Sequence, residues 1–104
     1  MYIIIETTTD SQKTSKTISK TLISKRLAAC VQINDNIHSE YRWNGKVCNS
    51  SELLIRIKTL KNNYNDICLE INKHHNYDNP EIISYDIDIL SNNYKDWFLK
   101  SLTK

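Results

Sequence analysis

The segment "NKHHNYDNPEI", Asn72 to Ile82, places two adjacent histidines ahead of an acid, Glu81, six residues beyond the second. Imidazoles and carboxylates are ligands for divalent metal ions. Neighbouring residues on a helix point ~100° apart, however, so His74 and His75 cannot readily chelate one ion while both are helical. Metal binding therefore requires partners from elsewhere in the chain. Glu81 lies just past a turn and can fold back toward the helix end, and Glu6 belongs to the first strand. One imidazole with two carboxylates suits Cu²⁺, Zn²⁺ or a similar ion at modest affinity. The same residues also admit a structural role. His75 extends the apolar stripe of its helix and can pack there, bonded to backbone or to a carboxylate, and His74 at the margin is favoured by the helix C-terminus when protonated.

Tyr41, Trp43 and Lys58 form a second constellation. The two aromatics can stabilise a hairpin by cross-strand pairing, with Lys58 a solvated residue. Alternatively the three line a cleft between subunits that holds a small anion or nucleotide-like ligand. No glycine-rich phosphate loop supports that use, because Gly45 is the only glycine. Cys30, Cys48 and Cys68 lack a CxxC pair and a histidine at motif spacing, and no GxSxG occurs, so the sequence offers no catalytic constellation. An odd cysteine count is expected of reduced thiols in a reducing compartment. Fourteen basic and twelve acidic side chains give a net charge of +2, too balanced for a nucleic-acid binder. No apolar run approaches the ~20 residues that span a bilayer, and "YIIIE" is short for a secretory signal. The expectation is a cytoplasmic protein without a membrane partner.

The elements that must position these groups follow from hydrophobic period. Residues 2–8 read as a buried strand. Asp10 or Ser11 can cap a helix running to about Arg26, with Ile18, Leu22, Ile23 and Leu27 on one stripe. From Ala29 the period becomes two, which puts Val31, Ile33, Ile37, Ser39, Tyr41 and Trp43 on one side of an extended chain. Asn44-Gly45 is a type I′ turn pair, and the chain returns through Leu53, Ile55 and Ile57. The spacing thus predicts one long hairpin with arms of more than ten residues, against a mean strand of about 5–6. Long open edges invite pairing with another chain, so the hairpin predicts self-association. A second helix spans "LKNNYNDICLEINKHH", capped by Asn62 or Asn63, with Tyr64, Ile67, Cys68 and Ile71 inward. "EIISYDIDI" is a strand, and "NNYKDWFLKSL" is a last helix bearing Tyr94, Trp97, Phe98 and Leu102. The order β-α-β-β-α-β-α predicts a single α+β domain over residues 1–104. It is a ferredoxin-like split β-α-β sandwich with a long β2-β3 hairpin and an extra C-terminal helix. That helix must cover the exposed sheet or a neighbouring subunit.

"KRLAACV", "SEYRWNGKV", "IKT" and "HHNYDNPEII" together resemble the CutA divalent-ion tolerance family. The ordered set covers nearly the whole chain and is more specific than any one motif. The resemblance implies a ferredoxin-like subunit in a homotrimer locked by long hairpins, similar in architecture to PII signalling proteins. It also implies non-enzymatic binding of divalent ions, chiefly copper, in metal tolerance. PII-like sensing of a small ligand is the alternative function. Two positions depart from the pattern. Asp35-Asn36 stand where the family often has Pro-Gly, and a bulge or turn is still expected there. Glu6 stands where some members carry a cysteine linked with copper, and a carboxylate is too hard a ligand to favour Cu(I).

Overall fold

The computed structural model describes residues 1–103. Its elements are β1 (Tyr2–Thr9), α1 (Gln12–Ser24), β2 (Cys30–Trp43), β3 (Lys46–Leu60), α2 (Tyr64–His74), β4 (Ile83–Ile87) and α3 (Asn92–Leu102). The four strands form one antiparallel sheet in the order β2-β3-β1-β4. With two helices packed on one face, this is the expected α+β ferredoxin-like plan, and α3 is the addition to it.

Alternation along β1 and β3 explains the core. Ile3 and Ile5 of β1 and Ile55 and Ile57 of β3 point toward the helices, where they meet Ile18 and Leu22 of α1 and Ile67 and Ile71 of α2. Thr7, Thr9 and Thr59 share that face and are fully buried. Thr59 offsets its cost by donating to the Leu27 carbonyl at 2.6 Å. Helix α1 starts where Ser11 accepts from the Thr14 N–H, and Arg26 leaves it with φ of 56°. Asn63 stands at the N-cap of α2 but makes no capping bond. A 3-10 turn over Lys61–Asn63 precedes the helix, and the Asn63 amide donates instead to Leu27 and Thr59.

The opposite face of the sheet is open along most of its length. Helix α3 covers only the end carrying Tyr2: Phe98 is fully buried and meets the Tyr2 ring edge-on at 5.5 Å between centroids. Tyr94 lies 6.0 Å from the Lys58 ammonium, whereas Trp97 stays 46% exposed. No helix among the described residues is long and apolar enough to cross a membrane.

The hairpin is the dominant shape. Asn44 and Gly45 both have positive φ, as a type I′ turn requires, and Trp43 pairs with Lys46 across it. Strand β1 ends opposite Leu53, so Lys46–Glu52 and the facing half of β2 project past the sheet with no third strand. The molecule measures 46 × 26 × 22 Å in consequence. A β-bulge at Asp35-Asn36 interrupts β2 between Asn34↔Leu54 and Ile37↔Glu52, with Asn36 at φ of 59°. Asp35 and Asn36 there stand opposite the single residue Leu53, which inverts the side-chain phase. Val31 and Ile33 therefore face the helices opposite Ile57 and Ile55. Ile37, Ser39, Tyr41 and Trp43 pair with Glu52, Ser50, Cys48 and Lys46 on the open face. The continuous side predicted for Val31 through Trp43 is thus split in two. The bend expected at Asp35-Asn36 is present, and it is the cause of the split.

Candidate functional site

The two histidines separate because α2 ends between them. His74 closes the helix, whereas His75 adopts an extended conformation with ψ of 143° and leaves the helical wheel on which the sequence placed it. Its ring turns back across the end of β1. Nε2 lies 2.9 Å from the Thr8 carbonyl, which can only accept, and Nδ1 accepts from the Tyr77 N–H at 3.0 Å. These two bonds hold the neutral tautomer with the proton on Nε2 and leave neither nitrogen a free lone pair. Burial lowers the His75 pKa, opposed by the Thr8 carbonyl and by the charges of Asp10 and Glu52. His74 faces another way, with Nε2 3.5 Å from Glu70. The other Glu70 oxygen takes Lys25 at 2.7 Å.

His75 therefore fastens the segment after α2 to β1, helped by Asn76, which bonds Thr9 and Asp10. Replacing it with alanine strips the Tyr77 N–H and the Thr8 carbonyl of their partner and is expected to cost about 1–3 kcal/mol. The sign of the pH effect follows from the depressed pKa. Stability is complete above the ordinary imidazole value of about 6.5 and falls as pH drops through the lower folded value, because protonated Nδ1 cannot accept from Tyr77. Thermal melts from pH 7.5 to 5 check this, and a His75→Gln variant should show a shallower decline.

The carboxylates gather on the open face. Glu6 accepts from Arg56 Nε at 3.2 Å and from the Tyr85 hydroxyl at 2.9 Å. Glu52, only 7% exposed, accepts the Tyr77 hydroxyl at 2.6 Å. Burial and this carboxylate raise the Tyr77 pKa. Glu81 approaches the same region. Burial raises its pKa, and the nearby charges of Glu6 and Glu52 raise it further. So of the four residues expected at a metal site, Glu6 and Glu81 are near enough for their charges to interact, Glu6 being bonded to Arg56 and Tyr85, while His74 and His75 are held elsewhere. Among the described residues, no group of three His, Cys, Asp or Glu side chains converges as a metal site would require.

The second constellation divides as well. Tyr41 and Trp43 line a cleft of ≈ 650 Å³ between the projecting hairpin and the 77–81 segment. Lys58 pairs with Ile4 and Cys30 near the other end of β3, twelve residues from the Lys46 that opposes Trp43. At ~3.3 Å per residue that is about 40 Å, so one chain cannot bring Lys58 to Trp43. Tyr77 and Glu52 were not foreseen as site residues. Tyr77 stands in the His-His-x-Tyr motif, but its hydroxyl finds Glu52 only through pairing 25 residues distant.

Comparison with known proteins places this geometry among relatives. The family model described as "CutA1 divalent ion tolerance protein" matches residues 3–101. "Protein CutA, chloroplastic" of Arabidopsis thaliana is 35% identical over 102 residues, which cover 98% of this chain and 56% of that protein. The chain thus spans little more than half of the plant relative. "Divalent-cation tolerance protein CutA" of Thermus thermophilus is 35% identical over 93% of this chain and 94% of its own. Among solved structures, the "Periplasmic divalent cation tolerance protein CutA" of Archaeoglobus fulgidus superposes with a TM-score of 0.93 at 29% identity, covering 99% of this chain and all of that one.

Proposed function

This chain belongs to the CutA1 divalent ion tolerance family, and from that premise we propose that it is a homotrimeric, non-enzymatic divalent-cation-binding protein of metal tolerance, with copper among its ions. Support for assembly comes from the hairpin. The outer edge of β2 and the projecting part of β3 carry backbone donors and acceptors that no strand among the described residues pairs. An open antiparallel edge of this length is a ready template for pairing with another chain. Light scattering on dilute protein should give a particle of three chains, and a single-chain particle would refute the assembly.

Support for ion binding comes from the anionic open face, where Glu6 and Glu81 supply the carboxylates. Two hard ligands, one of them already held by Arg56, imply weak binding of an ion such as Cu²⁺. Isothermal calorimetry with Cu²⁺ tests this. Glu81→Gln and Glu6→Gln should each weaken binding about tenfold, or about 1.4 kcal/mol, while His74→Ala leaves it unchanged. Because burial and neighbouring charge raise the Glu81 pKa, protons compete there sooner than at an ordinary carboxylate, and affinity should fall on mild acidification. No heat of binding from the native protein would refute the ion site.

A PII-like ligand sensor is the second function consistent with the fold. It requires Lys58 of one copy to approach Trp43 of another. A thermal shift with nucleotides that Lys58→Ala abolishes and Glu81→Gln retains would select it. A cytoplasmic location is part of the proposal, with cell fractionation as its check.

A further inference from the structure

The cleft beside the hairpin has a composition that neither metal tolerance nor nucleotide sensing explains. Its ten lining residues include four carboxylates and three aromatics, with no lysine, arginine or histidine among them. The lining that one chain supplies therefore repels a nucleotide or other anion. A bare metal ion is poorly served too, since no three ligand side chains converge among the described residues. The carboxylates are spread around an aromatic surface instead. In the single chain Trp43 is 53% and Tyr41 45% exposed, so its own packing uses these rings only in part. Glu52 supplies an independent sign. It is more than nine-tenths buried in the cleft wall, and only one of its oxygens receives a hydrogen bond, from Tyr77. Its other oxygen stays open to the cleft, where a donor or a positive charge can reach it.

We propose that this cleft binds an organic cation, an alkylammonium or guanidinium group seated on the Trp43 and Tyr41 rings and bonded to the free oxygen of Glu52. The ligand class follows from three matched features. Indole and phenol faces attract a cation carrying apolar surface. Carboxylates Glu52, Asp78 and Glu81 supply the opposite charge from several directions, whereas Glu40 turns to the other face of the hairpin beside His38. The cleft volume lies in the ~300–1,000 Å³ range of small-molecule sites. The raised pKa of Glu81 is consistent with negative charge crowded at this end of the sheet and uncompensated by any lining cation. Such a cation can be a free amine or a lysine or arginine side chain from a second copy, and the chemistry of the site is the same for both.

The test uses the full chain with Trp97→Phe, which leaves Trp43 as the sole indole. Putrescine and tetramethylammonium are titrated while Trp43 emission is followed, with 1,4-butanediol as the uncharged counterpart of putrescine. Both cations should change the emission saturably, and butanediol should not. Glu52→Gln and Glu81→Gln should each weaken binding about tenfold, and Trp43→Leu, followed by calorimetry, should lose most of it. Light scattering in parallel separates the sources. A free amine binds the intact assembly, whereas a side chain from another copy gives putrescine binding only as the assembly dissociates. Absence of a saturable response at every dilution overturns the proposal, as does binding that Glu81→Gln and Trp43→Leu leave unaltered. Glu81→Gln, at an exposed position, covers the case in which Glu52→Gln fails to fold. Trp43→Leu should spare the Cu²⁺ titration, so failure of one site is distinguishable from failure of the other.

Discussion

Truncation of Phe98 to alanine is expected to destabilise the protein by about 3–5 kcal/mol, the usual range for removing a fully buried phenyl ring. Phe98 is the one side chain of α3 with no solvent exposure, and it bridges the Tyr2 edge and the Tyr94 ring, whose centroid is 6.3 Å away. The Tyr94–Lys58 approach and a bond from Arg26 to the Ser101 carbonyl at 3.3 Å also tie the helix to the rest of the chain. Without the ring, α3 should loosen before the sheet does. Urea titration should show a lower midpoint, and hydrogen exchange should report faster opening in Asn92–Leu102 than in β1 or β3. Trp97→Ala provides the contrast. At 46% exposure in the single chain it should cost much less, and a penalty comparable to that of Phe98 would mean that another subunit covers it.

Deletion of Asn36 is expected to have the largest effect on the site without removing any side chain from it. The bulge puts two residues of β2, Asp35 and Asn36, against one of β3, Leu53. Taking one away restores simple alternation, so Ile37, Ser39, Tyr41 and Trp43 rotate to the other face of the hairpin. Core residues Ile55 and Ile57, and Val31 packed against them, lie on the domain side of the change in phase and keep their places, so the domain should still fold. The Tyr41 and Trp43 rings should leave the cleft. Nuclear Overhauser contacts from Tyr41 to the 77–81 segment should vanish, and the titrations with putrescine should lose their response. Persistence of both would show that the register does not govern the cleft.

That deletion marks where sequence and structure part company. The order of elements, the Asn44-Gly45 turn, the length of the hairpin and the Ser11 cap were all legible, because each rests on local period or on local backbone chemistry. The phase of β2 was not. A period-two pattern from Val31 to Trp43 counts residues, whereas the sheet counts pairs, and one unpaired residue at the bulge reverses everything beyond it. The histidines failed for a related reason. A helical wheel places His75 on the apolar stripe only while the helix lasts, and α2 stops one residue short. A role bonded to backbone was one of the two possibilities the residues allowed, and the bonds to Thr8 and Tyr77 have that character. Nothing near Glu52 in the chain suggests a buried acid. Its partner and its cleft come from segments about 10 and 25 residues away, brought together by the pairing of β2, β3 and the loop after α2.

The unpaired residue at Asn36 also constrains how this arm could change length. Adding or removing residues two at a time in either arm keeps every ring and acid on its present side, merely moving the tip nearer or farther. A single insertion or loss turns the distal arm inside out. Viable variation in this limb should therefore come in even steps, with odd steps accompanied by a second odd step that cancels the first.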